Sequence, residues 1–548
     1  MRFSYSFYFK ILLTFSLVFL GYSTYAQGDY LVTFRDKVST TYSINKPQAY
    51  LSPRAIQRRK NLSINISLED LPIADTYLNA IKILDCKIHY TLKWENAVVI
   101  YTNSQITINQ IKELPFVVAI KKINSYGAST RHKSLAPASS FKNDTTISST
   151  YYGAAAPQID MIRLDSLHQL GYWGDEVLIA VMDAGFTSAN HNRFFKKIFD
   201  EGRVLYTHDY VGDSTYVYAT SSHGCATFGC IGANIPNELV GTAPNAKFLL
   251  FTTEDNNSET IREEYNWAKA AEIADSLGAE VFSTSLGYTT FDASDSQDDH
   301  TYATMNGHTT PAARAANRAA SKGILVINSA GNEGAAAWHY IATPADADSC
   351  VAVGAVTPTG SIANFSSRGP SSSGMVKPSI CAQGAPAYIV STNSTVTTAY
   401  GTSFSGPIIA GAFACLRQAF PTVPNMAIID AVQRSANYAA APNADYGYGI
   451  PDFSIAYHLL QLHYAPVINA LLAFPSPFHD SFTIVYPATS TPQVSAALYD
   501  TKGSKVWTLT FAPMPLPLNH IDIINLQQLP PAVYILKVNE TAIRIVKE

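Results

Sequence analysis

The first apolar stretch of the chain, ILLTFSLVFLG from Ile11 to Gly21, is preceded by Arg2 and Lys10 and followed by the small-residue end Thr24-Tyr25-Ala26. It spans about 11 residues where a membrane span needs about 20, so residues 1–26 read as a secretory signal peptide cleaved near Ala26. Beyond it, LVTF, AVVIYT and FVVAIKKI are strand-like and RAIQRRK and DTYLNAIKIL are helical, which predicts a small α+β unit over residues 27–125. Residues 126–150, which include the polar tract STRHKSLAPASSFKNDTTISST, carry neither apolar period and read as an exposed linker. From Tyr151 to about residue 465, β-branched runs (VLIAVMD, FLLFTT, EVFSTSLG, GILVINSAG, CVAVGAV, YIVST) alternate with helical segments such as REEYNWAKAAEIADSLG. That alternation predicts βαβ units and a parallel sheet. Over residues 470–548 the pattern turns all-β, with SFTIVYP, QVSAALYD, KVWTLTF, HIDIIN and AVYILKVN between turn residues, which predicts a separate small sandwich.

Composition narrows the function classes. A length of 548 residues suits roughly three to five units. Net charge of −4 and 47% hydrophobic residues exclude a disordered chain and a polybasic nucleic-acid binder. Charged residues reach only 15%, against about 25% in soluble proteins, so Ser, Thr, Asn and Tyr must carry surface polarity, as suits an exported protein. Six cysteines in no C-x-x-C or Cys/His pattern exclude a disulfide scaffold and a structural zinc site. No later stretch is long and apolar enough to span a membrane, and no Cys follows the signal to accept a lipid, so the mature chain is expected to be soluble.

Candidate chemistry lies on four segments, each with a plain structural reading of its own. Asp183 ends the strand VLIAVMD, where catalytic groups collect in an open parallel sheet, yet an Asp there also caps turns. His223 opens SSHGCATFGCIG, whose glycines let a helix pack closely behind the imidazole; taken alone it reads as a satisfied structural histidine. Asn332 follows a strand in GILVINSAGNEG, where Asn also tolerates left-handed geometry. Ser403 lies in GTSFSGP before an apolar run of helical spacing. A serine at a helix N-terminus either caps it or attacks a carbonyl whose oxyanion the free N–H groups stabilise. The stretch is neither a phosphate loop nor a Gly-x-Ser-x-Gly elbow.

The order Asp183, His223, Ser403, with VMDAGF, His-Gly, Ser-Ala-Gly-Asn and Gly-Thr-Ser followed by Pro407, resembles the subtilase family of serine peptidases over roughly residues 155–455. GTAPNAK, STSLG, VAVGAV and NFSSRGP fall between these in the family's order. The resemblance implies an α/β, subtilisin-like three-layer sandwich with a mainly parallel sheet. It implies Ser403 as nucleophile, His223 as general base then acid, Asp183 as the group orienting the imidazole, and Asn332 as oxyanion-hole donor. Ser285, Leu286 and Gly287 match the edge against which an extended peptide substrate pairs. Cys225 stands where the family usually has Thr, and Gln383 where it often has Pro. The stretch Tyr288 to His308 carries Asp292, Asp295, Asp298 and Asp299; it reads as a solvated acidic loop, with calcium binding as the other reading. No cofactor is required.

The flanking units carry resemblances too. The unit over 27–125 resembles a subtilase propeptide, which implies an intramolecular inhibitor and a zymogen matured within 126–150. The unit over 470–548, with FPSPFHDSFTIVY, ALYDTKGSKVW and LPPAVYILKV, resembles a type IX secretion sorting domain. That implies secretion machinery as a partner and a secreted or cell-surface location reached through the periplasm. The expected function is a secreted serine endopeptidase acting on protein or peptide substrates through an acyl-enzyme; the alternative is an inactive subtilase-fold binding or adhesion protein. Cys350 and Cys381, on neighbouring strands in the family, are a candidate disulfide.

Overall fold

In the computed structural model the described residues are 27–126, 151–464, 471–474, 476–487, 493–512 and 518–548. The signal peptide and nearly all of the 126–150 linker lie outside them. The chain separates into two compact units, 1–451 and 452–548.

The centre of the first unit is a seven-stranded parallel sheet. Across it run Ile380–Gln383, Cys350–Val356, Leu325–Ser329, Val281–Thr284, Leu178–Asp183, Lys247–Thr252 and Val204–Asp209. The strands read as continuous apolar runs because both faces are covered. Leu178, Ala180 and Met182 point to one face, where helices Arg262–Leu277 and Pro311–Ser321 share their core. The alternate residues face the other side, and there helices His223–Gly232 and Thr402–Ala419 pack against each other. The fold is a subtilisin-like α/β sandwich with a large parallel sheet. YIVST departs from its predicted place: Ala387–Val390 pairs antiparallel with Val396–Ala399, outside this sheet. Val204–Asp209 joins the sheet at its edge although its half-exposed sequence VLYTHD gave no apolar run.

The N-terminal unit is a four-stranded antiparallel sheet in the order Lys87–Leu92, Ala97–Thr102, Gly28–Phe34, Val117–Asn124. Both of its faces are buried. Val98 and Ile100 meet Tyr77, Ile81, Ile108 and Ile111 of its own helices. Ala97 and Val99, one residue out of phase, join Tyr90 and Leu92 in the core shared with helices Arg262–Leu277 and Pro311–Ser321. AVVIYT is therefore apolar at consecutive positions because each face meets a different partner.

The second unit holds helix Phe453–Tyr464, assigned above to the catalytic stretch, and two antiparallel sheets of three and four strands. Phe482, Ile484, Val494, Ala496, Leu498, Tyr534, Leu536 and Val538 form the core between them. Alternation along each strand sets which side chains turn inward. Among the described residues no helix is long and apolar enough to cross a membrane.

Candidate active site

Asp183 ends its strand fully buried. Its Oδ1 accepts from the Ala184 N–H at 2.8 Å and lies 2.7 Å from His223 Nδ1, while its Oδ2 accepts from Thr227 Oγ1 at 2.9 Å. Thr227 is one helical turn beyond His223, so one helix face presents both partners to the carboxylate. Sequence reasoning missed Thr227, though its i+4 spacing from His223 was the available signal. The helix comes this close because of Gly224: a Cβ there would lie 2.3 Å from the Gly185 carbonyl oxygen and 3.1 Å from Asp183 Cβ. With Nδ1 committed to Asp183, Nε2 is the ring atom left for proton transfer. Burial opposes a charge on His223, but Asp183's charge and hydrogen bond, with Glu254 behind them, outweigh it and hold the imidazole above its ordinary value.

Ser403 is the second residue of helix Thr402–Ala419. Pro407, four residues on, has no N–H to give the Ser403 carbonyl, and the Ser285 hydroxyl donates to it instead at 2.8 Å. That bond ties the Ser285–Leu286–Gly287 segment to the serine. Leu286 is anchored in turn, its carbonyl accepting from Asn328 Nδ2 at 2.9 Å. Gly287 is exposed and, among the described residues, enters no backbone hydrogen bond, so its edge is open.

Asn332 faces the same helix start. Its Oδ1 accepts from the Thr402 N–H at 2.9 Å and from Thr402 Oγ1 at 3.0 Å. A backbone N–H can only donate, so the side-chain NH2 is the end left pointing away. Phe404, beside Ser403, has its ring centroid 5.9 Å from that of His223. Among the described residues no hydrogen bond joins His223 to Ser403. Such contacts often tighten only when substrate arrives. The structure thus holds an oriented imidazole, a hydroxyl at a helix N-terminus, a free amide donor and an open strand edge together at the carboxyl end of one sheet.

Two expectations need correction. The acidic stretch is solvated only in part: Asp299 is exposed, but Asp292 and Asp295 are 3% and 1% exposed. Asp292 Oδ2 accepts from the Glu259 N–H at 3.1 Å, and Asp298 pairs with Lys121 of the N-terminal unit at 2.8 Å. These carboxylates are spent on turns and on that neighbouring unit. Cys350 and Cys381 are both free. Cys381 stands opposite Gly354 in the parallel register, while Cys350 lies four residues back on that strand, about 13 Å away along it and beyond disulfide reach. Cys225 is fully buried with Asn192 Nδ2 3.8 Å from its sulfur, and burial pushes its thiol up to about 12.

A family model described as Subtilase family matches residues 174–449, half of the chain. The chain belongs to the subtilase family. A second model, the Peptidase S8 propeptide domain of Bacteroidota, matches residues 29–137. Subtilisin E of Bacillus subtilis (strain 168) is 28% identical over 306 residues, covering 55% of this chain and 71% of that protein. The thermostable alkaline protease of Halalkalibacterium halodurans is 26% identical over 293 residues, covering 53% of this chain and 70% of that protein. The solved structure of MycP1 with the N-terminal propeptide removed aligns at 21% identity and a TM-score of 0.44, over 55% of this chain and 96% of that one. The subtilase is a serine-type endopeptidase that carries its own propeptide domain.

Proposed function

We propose that this subtilase is made as a secreted zymogen and hydrolyses peptide bonds through Asp183, His223 and Ser403. An extended substrate pairs with Ser285–Gly287, and Ser403 Oγ attacks the carbonyl while His223 Nε2 takes its proton. Asp183 holds the Nδ1–H and stabilises the imidazolium, and Thr227 keeps the carboxylate from turning. The oxyanion meets the Asn332 amide and the Ser403 N–H at the positive end of the helix. His223 then protonates the leaving amine, and water releases the acyl group by the same route in reverse. The observation that carries this reading is the 2.7 Å Asp183–His223 pair, with its second oxygen tied to Thr227. Reaction with a sulfonyl fluoride tests it: modification should fall on Ser403, abolish proteolysis, and be absent in Ser403→Ala. Proteolysis that survived complete Ser403 modification would refute it, and a chain neither modified nor proteolytic would be the binding protein of the alternative reading.

The N-terminal unit acts in this reading as intramolecular inhibitor, supported by the face it shares with helices Arg262–Leu277 and Pro311–Ser321. Maturation falls within residues 126–150, and the unit after about Pro475 is a type IX sorting domain removed or exchanged at export. FPSPFHDSFTIVY and LPPAVYILKV support that last step. The product is then released or held at the cell surface. Mass determination of both ends of the exported protein tests all of this, and an active exported form that keeps residues 30–120 covalently attached would sink the propeptide role.

A further inference from the structure

Strands Val281–Thr284 and Leu325–Ser329 run parallel, with Thr284 opposite Asn328 as the last matched pair but for Ser329 beyond it. Past that pair the two chains part: one becomes Ser285–Leu286–Gly287, the other turns through Gly331 to Asn332. The ladder between them ends there, and a side chain takes its place. Asn328 Nδ2 donates to the Leu286 carbonyl at 2.9 Å and to the Ser329 carbonyl at 2.7 Å, one on each chain. A single planar amide therefore ties the exposed edge at Gly287 to the start of the turn that carries Asn332.

That amide is itself aimed. Asn328 and Thr284 are buried, and Phe282 and Val326, two residues back on each strand, lie in the core shared with helix Arg262–Leu277. From that helix Trp267 Nε1 donates to Thr284 Oγ1 at 3.3 Å. An indole N–H can only donate, so the threonine oxygen accepts it and sends its own hydrogen to Asn328 Oδ1. The Asn328 oxygen is thereby turned to Thr284 and its NH2 to the two carbonyls. A buried polar network whose members are all satisfied holds one geometry.

Successive residues of a strand edge turn their backbone groups to opposite sides. With the Leu286 carbonyl held inward by Asn328, the backbone groups of Ser285 and Gly287 are left to face a substrate strand. We propose that Asn328 is a positioning residue for peptide hydrolysis: it fixes the substrate edge against the oxyanion turn, so that a paired peptide brings its carbonyl into register with Ser403 and Asn332. This inference rests on the reading of Ser285–Gly287 as the substrate edge and of Asn332 as the oxyanion donor.

The test uses the matured full chain, with active sites counted by phenylmethylsulfonyl fluoride, and compares two kinds of substrate. Peptides are lengthened residue by residue on the acyl side, so that the longer ones lie along Ser285–Gly287; p-nitrophenyl acetate is too short to reach that edge. In the parent, lengthening should raise kcat/KM. If it does not, Ser285–Gly287 is not the substrate edge and the proposal falls with that reading. Asn328→Leu, close in size, should lower kcat/KM for the longest peptide by about tenfold or more while changing ester hydrolysis by about twofold or less. Thr284→Val, which keeps its shape but leaves the amide free to turn, should act in the same direction. Thr284→Ser, which keeps the hydroxyl, should match the parent. Equal losses on peptide and ester in Asn328→Leu and Thr284→Val overturn the proposal, because a residue that only supports the fold would spare neither substrate. So do parent-like peptide rates in both variants. Where Asn328→Leu yields no mature enzyme, the Thr284 pair decides. Loss confined to peptides in Thr284→Val alone supports the proposal, and equal rates in Thr284→Val and Thr284→Ser overturn it.

Discussion

Asp183 and Asp275 are both fully buried, and both face basic side chains. Asp183 has one, His223 at 2.7 Å. Asp275, on helix Arg262–Leu277, has three from the N-terminal unit: Arg58 at 2.6 Å, Arg59 at 2.9 Å and Lys93 at 3.3 Å. Burial alone would raise the Asp275 carboxyl, but Lys93, Arg58 and Arg59 hold it far below the usual carboxylate range. Glu272, one turn earlier, adds bonds from the N–H groups of Lys93 and Trp94 at 2.9 and 2.7 Å. The difference separates two uses of one interaction. A proton must move through the first site, so its partner is an imidazole, which can gain and lose charge, and the remaining bonds of Asp183 only orient it. The second site must hold, so its partners keep their charge and are redundant.

The largest contrast should come from Ser403→Ala, which removes the nucleophile and leaves the Asp275 contacts untouched. Proteolysis should fall by about 10⁶-fold, the scale known for the subtilisin nucleophile, and the precursor should accumulate uncleaved while melting like the parent. Cleavage of this variant at its own linker at the parent's rate would show that maturation needs another protease.

Asp275→Asn should do the reverse. Removing one member of a buried ion pair costs about 3–5 kcal/mol, here by taking the shared carboxylate from Arg58, Arg59 and Lys93 and leaving Asp70, 2.8 Å from Arg59, as that residue's remaining partner. The Ser403→Ala precursor with this change should lose stability of that order in denaturant melts. The mature enzyme, in which the position is uncovered, should change by about 0.5 kcal/mol or less. Equal losses in both forms would mean that Asp275 supports the catalytic fold rather than the lock.

The two sites also differ in how far the sequence announces them. Asp183, His223 and Ser403 sit at local signals: a strand end, a helix start with Gly224 beside it, a helix start with Pro407 inside it. The Asp275 lock has no local signal. RAIQRRK reads as a helix with a solvated basic face, yet Arg58 and Arg59 are 5% and 1% exposed because their partner lies more than two hundred residues away. The acidic stretch that drew attention, Asp292 to Asp299, proved to be occupied with turns and with Lys121. Cys350 and Cys381 show the limit in the other direction, since adjacent strands were legible but their register was not.

Within the catalytic site, Asn332→Leu keeps the nucleophile and removes one donor. It should lower kcat by about 10²–10³, the scale known for an oxyanion-hole asparagine in subtilisin, with KM changed little because the donor acts mainly on the transition state. Leucine also gives up the Thr402 contacts, so Asn332→Asp, which keeps the oxygen that Thr402 needs but lacks the NH2, should fall as far. Activity retained in Asn332→Asp would assign Asn332 to holding the helix start rather than to the oxyanion.

The smallest effect separates the two sites by pH alone. His223 must be neutral to accept the Ser403 proton, and its folded-state pKa is raised, so kcat/KM should fall with decreasing pH along a limb centred above the ordinary histidine value of about 6.5. One unit below that centre, about a tenth of the rate should remain. Asp275 has the opposite sign: its pKa is depressed, so its stabilisation is complete above the ordinary carboxylate value of about 3.9 and is lost only as pH falls through the depressed one. Between pH 8 and 5, therefore, activity should drop while the Asp275 contribution to precursor stability stays constant. Comparing Ser403→Ala with Ser403→Ala/Asp275→Asn in denaturant melts at each pH isolates that contribution from every other titrating group. An acid limb centred below about 6.5 would contradict the Asp183–His223 pairing, and a melt difference that shrank across this window would show that Asp275 titrates there and that the lock is acid-sensitive.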